Sequence, residues 1–460
     1  MIYDMYLLFD IISLSLNLKK SPAEIEKIRE KKFRKILKYA YQKSPFYRKL
    51  YSDNGIKFDD LDEIPLEKIP SINKDMIIEN LEDIVTRKDI NVGNALSFAY
   101  SNRDPQVLFN GKYQVIQSSG SSGKSGIFIY NLREMTKAFS CSSRMHLFEI
   151  GRKNKVAYYA GIEGRFGGVS LVLYGKMGYL RKMYEICLID MNEPLEKVIN
   201  TLNDFQPDIL IGYATGLAML AGFQKEEKLS INPRIIENGG EGLSDNDYSL
   251  IKSVFNCPVI NMYAASECYY LGIGREEYDG IYLMDDFNYV EIMEDHIIVT
   301  NLFNYTQPLI RYRINDKLIL KNDHQKLLPF RLVGNLVGRE EMLLWFRNEK
   351  GILDYIHPVV FTSFCVQGIE KFQIVLRSEH SFEFMAIIPD LTMMQRAIKE
   401  VRLSLEAILE KKEMKNVHFN VITINQPIID KKSRKFKMIL KDYYEINGGL
   451  KHESTVYSTL

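Results

Sequence analysis

Apolar and polar positions divide this 460-residue chain into regions with different periodicities. Residues 22–52, PAEIEKIREKKFRKILKYAYQKSPFYRKLYS, carry Ile25, Ile28, Phe33, Ile36, Leu37 and Tyr41 near helical spacing. The pattern predicts an amphipathic helix that ends before Pro45. From there to about residue 340, short apolar runs (FIY, VAYYA, DILIGY, PVINMY, HIIVTNL) alternate with helical stretches such as 192–204 and 245–255. That alternation predicts an α/β domain with a largely internal sheet. After Gly338 the pattern changes. FQIVL at 372–376 and EFMAII at 383–388 read as paired strands. Residues 393–412 read as a helix with Met394, Ile398, Val401, Leu405 and Ile408 on one face, and VHFNVITI as another strand. The expected organisation is a large α/β domain over 1–338 and a small α+β domain over 339–460, with a hinge between them. The tail NGGLKHESTVYSTL is expected to be loosely ordered.

The first residues, MIYDMYLLFDIISLSLN, are apolar, but Asp4 and Asp10 interrupt them and no basic segment precedes them. They make a poor signal peptide and are too short and too charged to span a bilayer. The expectation is a helix packed on its own domain or on a partner subunit, hence a homodimer. Charge narrows the partners: 60 Lys+Arg against 59 Asp+Glu leave a net +1. That balance lacks the clustered positive charge of a dedicated nucleic-acid or membrane-surface binder, so a small molecule or another protein is expected. Five cysteines, with no CxxC and no neighbouring histidine cluster, suggest neither a disulfide framework nor a zinc site. A cytoplasmic location follows as an expectation.

The stretch SSGSSGKSG at 118–126 is the first piece of candidate chemistry. A Walker A loop needs glycine at 118, where this chain has Ser118, and it opens a helix, whereas IFIY follows here. YQVIQ and IFIY instead read as two strands joined by a glycine-rich loop. Ser118, Ser119, Ser121 and Ser122 can donate to phosphate oxygens. Gly120 and Gly123 let backbone N–H groups come close, and Lys124 supplies charge.

Four further motifs follow in order: NMYAASE at 261–267, PLIRYRIND at 308–316, VGREE at 337–341 and KKSRKFKMI at 431–439. With the serine loop, they resemble the signature set of the adenylate-forming enzymes of the acyl-CoA synthetase superfamily, and within it the phenylacetate-CoA ligase and CapK-like branch. The likeness extends to QKSPFYRKLYSDNGI, to the PSINKDMI segment, to FQPDILIGYATGLAMLA and to NGGEGLS at 238–244, so it covers nearly the whole chain.

The resemblance implies roles for individual residues. The serine loop and Lys124 would hold phosphates, Gly240 and Glu241 would border the nucleotide, and Tyr263 would stack on adenine. Ser266 would contact phosphate, Glu267 would hold Mg²⁺, and Asp316 and Arg339 would bind ribose. Glu341 would be the hinge acid, and Lys435 the adenylation lysine, with Lys431, Lys432 and Lys437 as neighbours in register. Tyr159, Gly161, Gly212, Tyr213 and Ala214 would wall the acid pocket. Arg165, beside Gly164, Gly167 and Gly168, is expected to be a solvent-facing loop arginine. Arg311 and Arg313 also alternate as if on a wet strand face.

The implied activity is ATP- and Mg²⁺-dependent activation of a carboxylic acid to an acyl adenylate, followed by transfer to a thiol of coenzyme A or of a carrier protein's phosphopantetheine. Two other readings stay open: a ligase whose acceptor is an amine or a sugar hydroxyl, and a non-catalytic homologue that binds a nucleotide or a carrier.

Overall fold

The computed structural model describes residues 2–118, 126–145, 152–334, 343–362, 364, 366–428 and 438–441. The loop positions Ser119, Gly120, Ser121, Ser122, Gly123 and Lys124 therefore lie outside the described residues, as do Arg339, Glu341 and Lys435.

An eight-stranded sheet organises the larger part of the chain. Five of its strands run parallel, in the spatial order Tyr184–Asp190, Asn154–Ala160, Ile209–Gly212, Ile235–Gly239 and Val259–Ala265. Tyr269–Gly274, Ile281–Leu283 and Leu332–Val333 extend it antiparallel. Helices Leu195–Phe205, Ala214–Lys225 and Asp245–Phe255 lie between successive parallel strands in the chain. Such strands are apolar on both faces because helices cover both. The serine-loop stems are the antiparallel strands Tyr113–Gln117 and Ile127–Asn131, paired from Tyr113↔Asn131 to Gln117↔Ile127.

Local chemistry fixes the flanking helices. Pro22–Lys43 starts at a capping box, in which Glu24 N–H donates to Ser21 Oγ at 3.3 Å and Ser21 N–H donates to Glu24 Oε2 at 2.9 Å. Leu132–Ser140 starts at a second one, formed by Asn131 and Glu134. The buried Glu134 carboxylate also accepts from the backbone N–H groups of Tyr305 and Thr306, both at 2.9 Å. It thereby joins the serine-loop stem to the chain that leads into the third motif.

The C-terminal part is a smaller α+β unit. Its four-stranded sheet has the order His418–Thr423, Ser381–Ile387, Lys371–Ser378, Ile439–Lys441, with the outer pairs parallel and the central pair antiparallel. The helix Leu391–Lys411 connects two parallel neighbours and buries Ala397, Val401, Leu405 and Leu409. One apolar cluster runs from Tyr159, Leu210 and Ile236 through Tyr355 and Phe361 to Phe384 and Val401, so the two sheets share a continuous core. The chain is thus an α/β protein with internal sheets and a C-terminal α+β unit. Among the described residues, no helix is long and apolar enough to cross a membrane.

Candidate active site

A cleft of about 1600 Å³ opens at the C-terminal ends of the parallel strands and is closed from one side by the helix Leu391–Lys411. In an open parallel sheet the strand ends leave exactly one such crevice for ligand where the order changes direction. Of the sequence-predicted residues, Ser118, Gly161, Tyr213, Gly240 and Glu241 line it, together with Tyr263, Ser266, Glu267 and Asp316.

One end of the cleft is built from three sequence motifs stapled together. Ser118 closes the loop stem, its N–H donating to Gly126 O at 2.9 Å and its Oγ accepting from Gly126 N–H at 3.0 Å. Tyr130, on the outgoing stem, donates its hydroxyl to Glu267 O at 2.7 Å. Asn301 Nδ2 donates to the same carbonyl at 3.3 Å. The Glu267 side chain then sits half-buried in the cleft, with Tyr312 Oη 3.5 Å from Oε1. Burial pushes its carboxyl above the usual range, a shift that the charge of Lys74 opposes and that of Asp316 reinforces.

Lys74 was not among the expected site residues, yet it lines the cleft. A Cβ placed on Gly126 would stand 3.5 Å from its Cε, which puts the lysine beside the stem residue Gly126, and its charge acts on Glu267. The sequence carried a signal for it. Lys74 is the first residue of a short helix capped by Asn73, where a cation opposes the helix dipole and is expected to need an anion nearby.

Elsewhere on the lining, Tyr263 Oη donates to Asp316 Oδ2 at 2.8 Å. Tyr263 is buried with its ring against the cleft. Asp316 follows the strand Tyr312–Ile314, whose approach is set by Arg311 at φ 51°. The Arg311 guanidinium forks onto Glu291 at 2.9 and 2.8 Å and donates to the carbonyls of Leu66 and Ile69. The two arginines therefore do not share a wet strand face: Arg313 is exposed, but Arg311 is a buried bolt.

Gly240 has φ +90°, and a Cβ there would come within 2.9 Å of Tyr213 Cε1. The turn presents Glu241 to the buried His357, whose Nε2 lies 2.7 Å from Oε1, while Thr215 N and Oγ1 donate to Oε2 at 3.2 and 2.9 Å. Burial raises the Glu241 carboxyl, but the His357 charge and these bonds outweigh it and leave it below the ordinary value. His357 was missed because its partner is distant in sequence and no pattern surrounds it.

The acid-pocket expectations divide by strand alternation. Val156, Tyr158, Ile186, Ile209, Ile211 and Glu237 face the inner cleft from one side of the sheet. Tyr159 points to the other side, into the second core, where its hydroxyl meets that of Tyr355. Gly212 and Ala214 are likewise absent from the lining, and Gly212 packs its α-carbon near Tyr159 O. The helix Gly167–Tyr174 roofs the chamber. Its approach is so close that a Cβ on Gly168 would meet Tyr158 Oη at 2.3 Å. Arg165 corrects another expectation: it is fully buried, donates to the carbonyls of Val115, Asp104 and Val107, and lies 4.5 Å above the Phe98 ring.

The donor set suits magnesium brought with a nucleotide. Among the described residues there is no group of three metal-ligating side chains. The single half-buried carboxylate of Glu267 instead fits an ion that would keep most of its coordination for phosphate and water.

Solved structures set the fold. A 2-hydroxyisobutyryl-CoA ligase in complex with 2-HIB-AMP and CoA, in its thioesterification state, superposes with a TM-score of 0.58 at 17% identity, covering 92% of this chain and 90% of that one. The same ligase in its postadenylation state gives 0.57 at 16%, with the same coverage. The fold is that of an acyl-CoA ligase. Protein CapK of Staphylococcus aureus is 24% identical over 371 residues, 76% of each chain. The phenylacetate-coenzyme A ligase of Aromatoleum evansii is 23% identical over 362 residues, 72% of this chain and 74% of that one. No family model matches the sequence. The chain is thus similar to AMP-forming acid ligases of the adenylate-forming, acyl-CoA ligase superfamily, and within it to CapK and phenylacetate-CoA ligase.

Proposed function

We propose that the enzyme activates a carboxylic acid with MgATP, releasing pyrophosphate and leaving an acyl adenylate, and then passes the acyl group to a thiol of coenzyme A or of a carrier phosphopantetheine. The observation that carries this reading is the convergence of Ser118, Tyr263, Glu267 and Asp316, from separate chain segments, on one cleft. A carboxylate is a poor electrophile, and attack of its oxygen on the α-phosphorus turns AMP into the leaving group.

Catalysis then rests on positioning and on charge placed in advance. In this reading Asp316 accepts from the ribose hydroxyls, with Tyr263 holding the carboxylate in place. Lys74 and the serine loop hold the phosphate oxygens. Glu267 holds the magnesium that screens them. Lys435 bridges the acid and the α-phosphate, the C-terminal unit moving about residues 339–341 between the two half-reactions. The chamber under Gly167–Tyr174, walled by tyrosines and aliphatic side chains, favours an acid with an apolar body.

The test is pyrophosphate release trapped with hydroxylamine across aromatic, aliphatic and amino acids. Release that depends on one acid and is lost in Lys435→Ala supports the reading. Silence from every acid, with ATP binding intact by calorimetry, counts against an adenylating enzyme.

A further inference from the structure

The N-terminal helix Ile2–Asn17 turns Leu7, Asp10, Leu14 and Asn17 inward. Asp10, 1% exposed, accepts from Arg133 and from Lys137 Nζ at 2.9 Å. Asn17 Nδ2 donates to Asp286 Oδ2 at 2.7 Å, and Arg144 bridges Asp286 to Leu14 O. These ties fix the helix about its axis, so its other side stays outward. That side carries Met5, Phe9, Ile12 and Leu16, which are 67, 67, 50 and 55% exposed. Their spacings of four, three and four residues form an a/d seam, the pattern by which one helix packs along another.

The patch is larger than the seam. Leu8 flanks it, and Asp4 Oδ1 accepts from Tyr179 N–H at 2.9 Å, which brings the exposed Tyr179 and Met177 alongside. With Ile2, these eight side chains present roughly 1,000 Å² of surface, taking about 150–250 Å² for a large side chain in full. One partner's share of a standard interface is about 800 Å², and a patch of this size is unusual on a monomer.

We infer that a second copy of this chain covers this face, the two N-terminal helices lying antiparallel across a two-fold axis between Asp10 and Ile11. In that register Met5 faces Leu16 and Phe9 faces Ile12, so the seam is complementary to itself, as an isologous interface requires. Asp4, at one end of the helix, comes opposite Asn17 of the second copy, with Lys19 and Lys20 just beyond it, and the opposed helix dipoles add to the pairing. Residues 2–17 contain no lysine or arginine, so the helix itself places no basic side chain along the seam.

Sedimentation of the full chain at micromolar concentration tests the interface. The expected result is twice the chain mass for wild type, half of that for Met5→Glu and for Leu16→Glu, and recovery of the dimer in the double variant M5E/L16K. The recovery is specific to the antiparallel register, since a parallel pair would bring like charges together. Both substituted side chains are at the surface, so circular dichroism should show unchanged folding. A monomeric wild type overturns the inference, including one that floats with phosphatidylcholine vesicles, which would assign the face to lipid. A dimer that persists in M5E and L16E overturns it as well.

Discussion

Tyr263 Oη donates to Asp316 Oδ2 across 2.8 Å and joins two motifs that lie 53 residues apart in the chain. The bond holds one carboxylate oxygen in place and leaves the other directed at the cleft, where a pair of vicinal hydroxyls can donate to it. Loss of the carboxylate is therefore expected to cost more than loss of the phenol. Asp316→Ala should weaken ATP binding at least tenfold, roughly the 1.5–3 kcal/mol of a hydrogen bond to a charged group. Tyr263→Phe should weaken it by about fivefold or less. Calorimetry with ATP checks both, and an unchanged affinity in Asp316→Ala removes the ribose role.

Glu267 and Lys74 set an acid limit on activity. Burial holds the Glu267 carboxyl above the ordinary carboxylate value, and Lys74 holds it down from where burial alone would put it. If the ionised form is required, kcat/KM rises with pH through that raised value, and Lys74→Met moves the rise to higher pH. The same shift has a stability consequence with a definite sign. A carboxylate raised on folding binds its proton more tightly in the native state, so its contribution to stability declines as pH rises through the raised value. Glu267→Gln should thus be inactive yet melt higher at neutral pH, by about 2 °C. Adenylation rates across pH, with melting curves of the same variants, test the pair; an acid limb that ignores Lys74→Met contradicts it.

The sequence made the frame legible because hydrophobic period responds to burial and to little else. Pro22–Lys43, Asp245–Phe255 and Leu391–Lys411 lie where the spacing of apolar residues puts them, and YQVIQ and IFIY form the paired stems on either side of the serine loop. What escaped depends on long-range partners. Arg165 and Arg311 looked like surface cations because a sequence shows charge and not the backbone carbonyls that solvate a buried guanidinium. Tyr159 and Tyr158 are adjacent in a run with apolar residues on both faces, so alternation has no polar side to mark which one meets the chamber. His357 gains its place only when the C-terminal segment folds back onto the Gly239–Gly240–Glu241 turn.

That turn supplies a sharp test of geometry. Gly240 combines φ +90° with Tyr213 Cε1 only 2.9 Å from where a Cβ would stand. Alanine must both adopt a backbone region that L-residues avoid and displace the tyrosine ring, so Gly240→Ala is expected to destabilise by about 2 kcal/mol. Since Tyr213 and Glu241 both line the cleft, the substitution should also raise the KM for the acid or for ATP. Denaturant melts and steady-state kinetics read the two effects; a variant with wild-type stability shows that the turn relaxes more easily than its geometry indicates.

Lys411 pins the C-terminal helix against the larger part of the chain, its ammonium 2.8 Å from Glu163 Oε1 and also bonded to the buried Asp190. It stands on the cleft lining, so this contact both closes the cleft and fixes where the C-terminal unit rests. An enzyme that completes adenylation and thioester formation in different arrangements of that unit must break such contacts once in each cycle. Removing the partly exposed Lys411–Glu163 pair alone, worth on the order of 1 kcal/mol, shifts a two-state balance about fivefold. Glu163→Gln, which leaves the Lys411–Asp190 contact in place, is therefore expected to leave ATP affinity nearly unchanged while altering the ratio of acyl-adenylate formation to acyl transfer by about that factor. Single-turnover measurements of each half-reaction decide it. Equal effects on both half-reactions, or none on either, mean that the Lys411 contact does not distinguish the two arrangements.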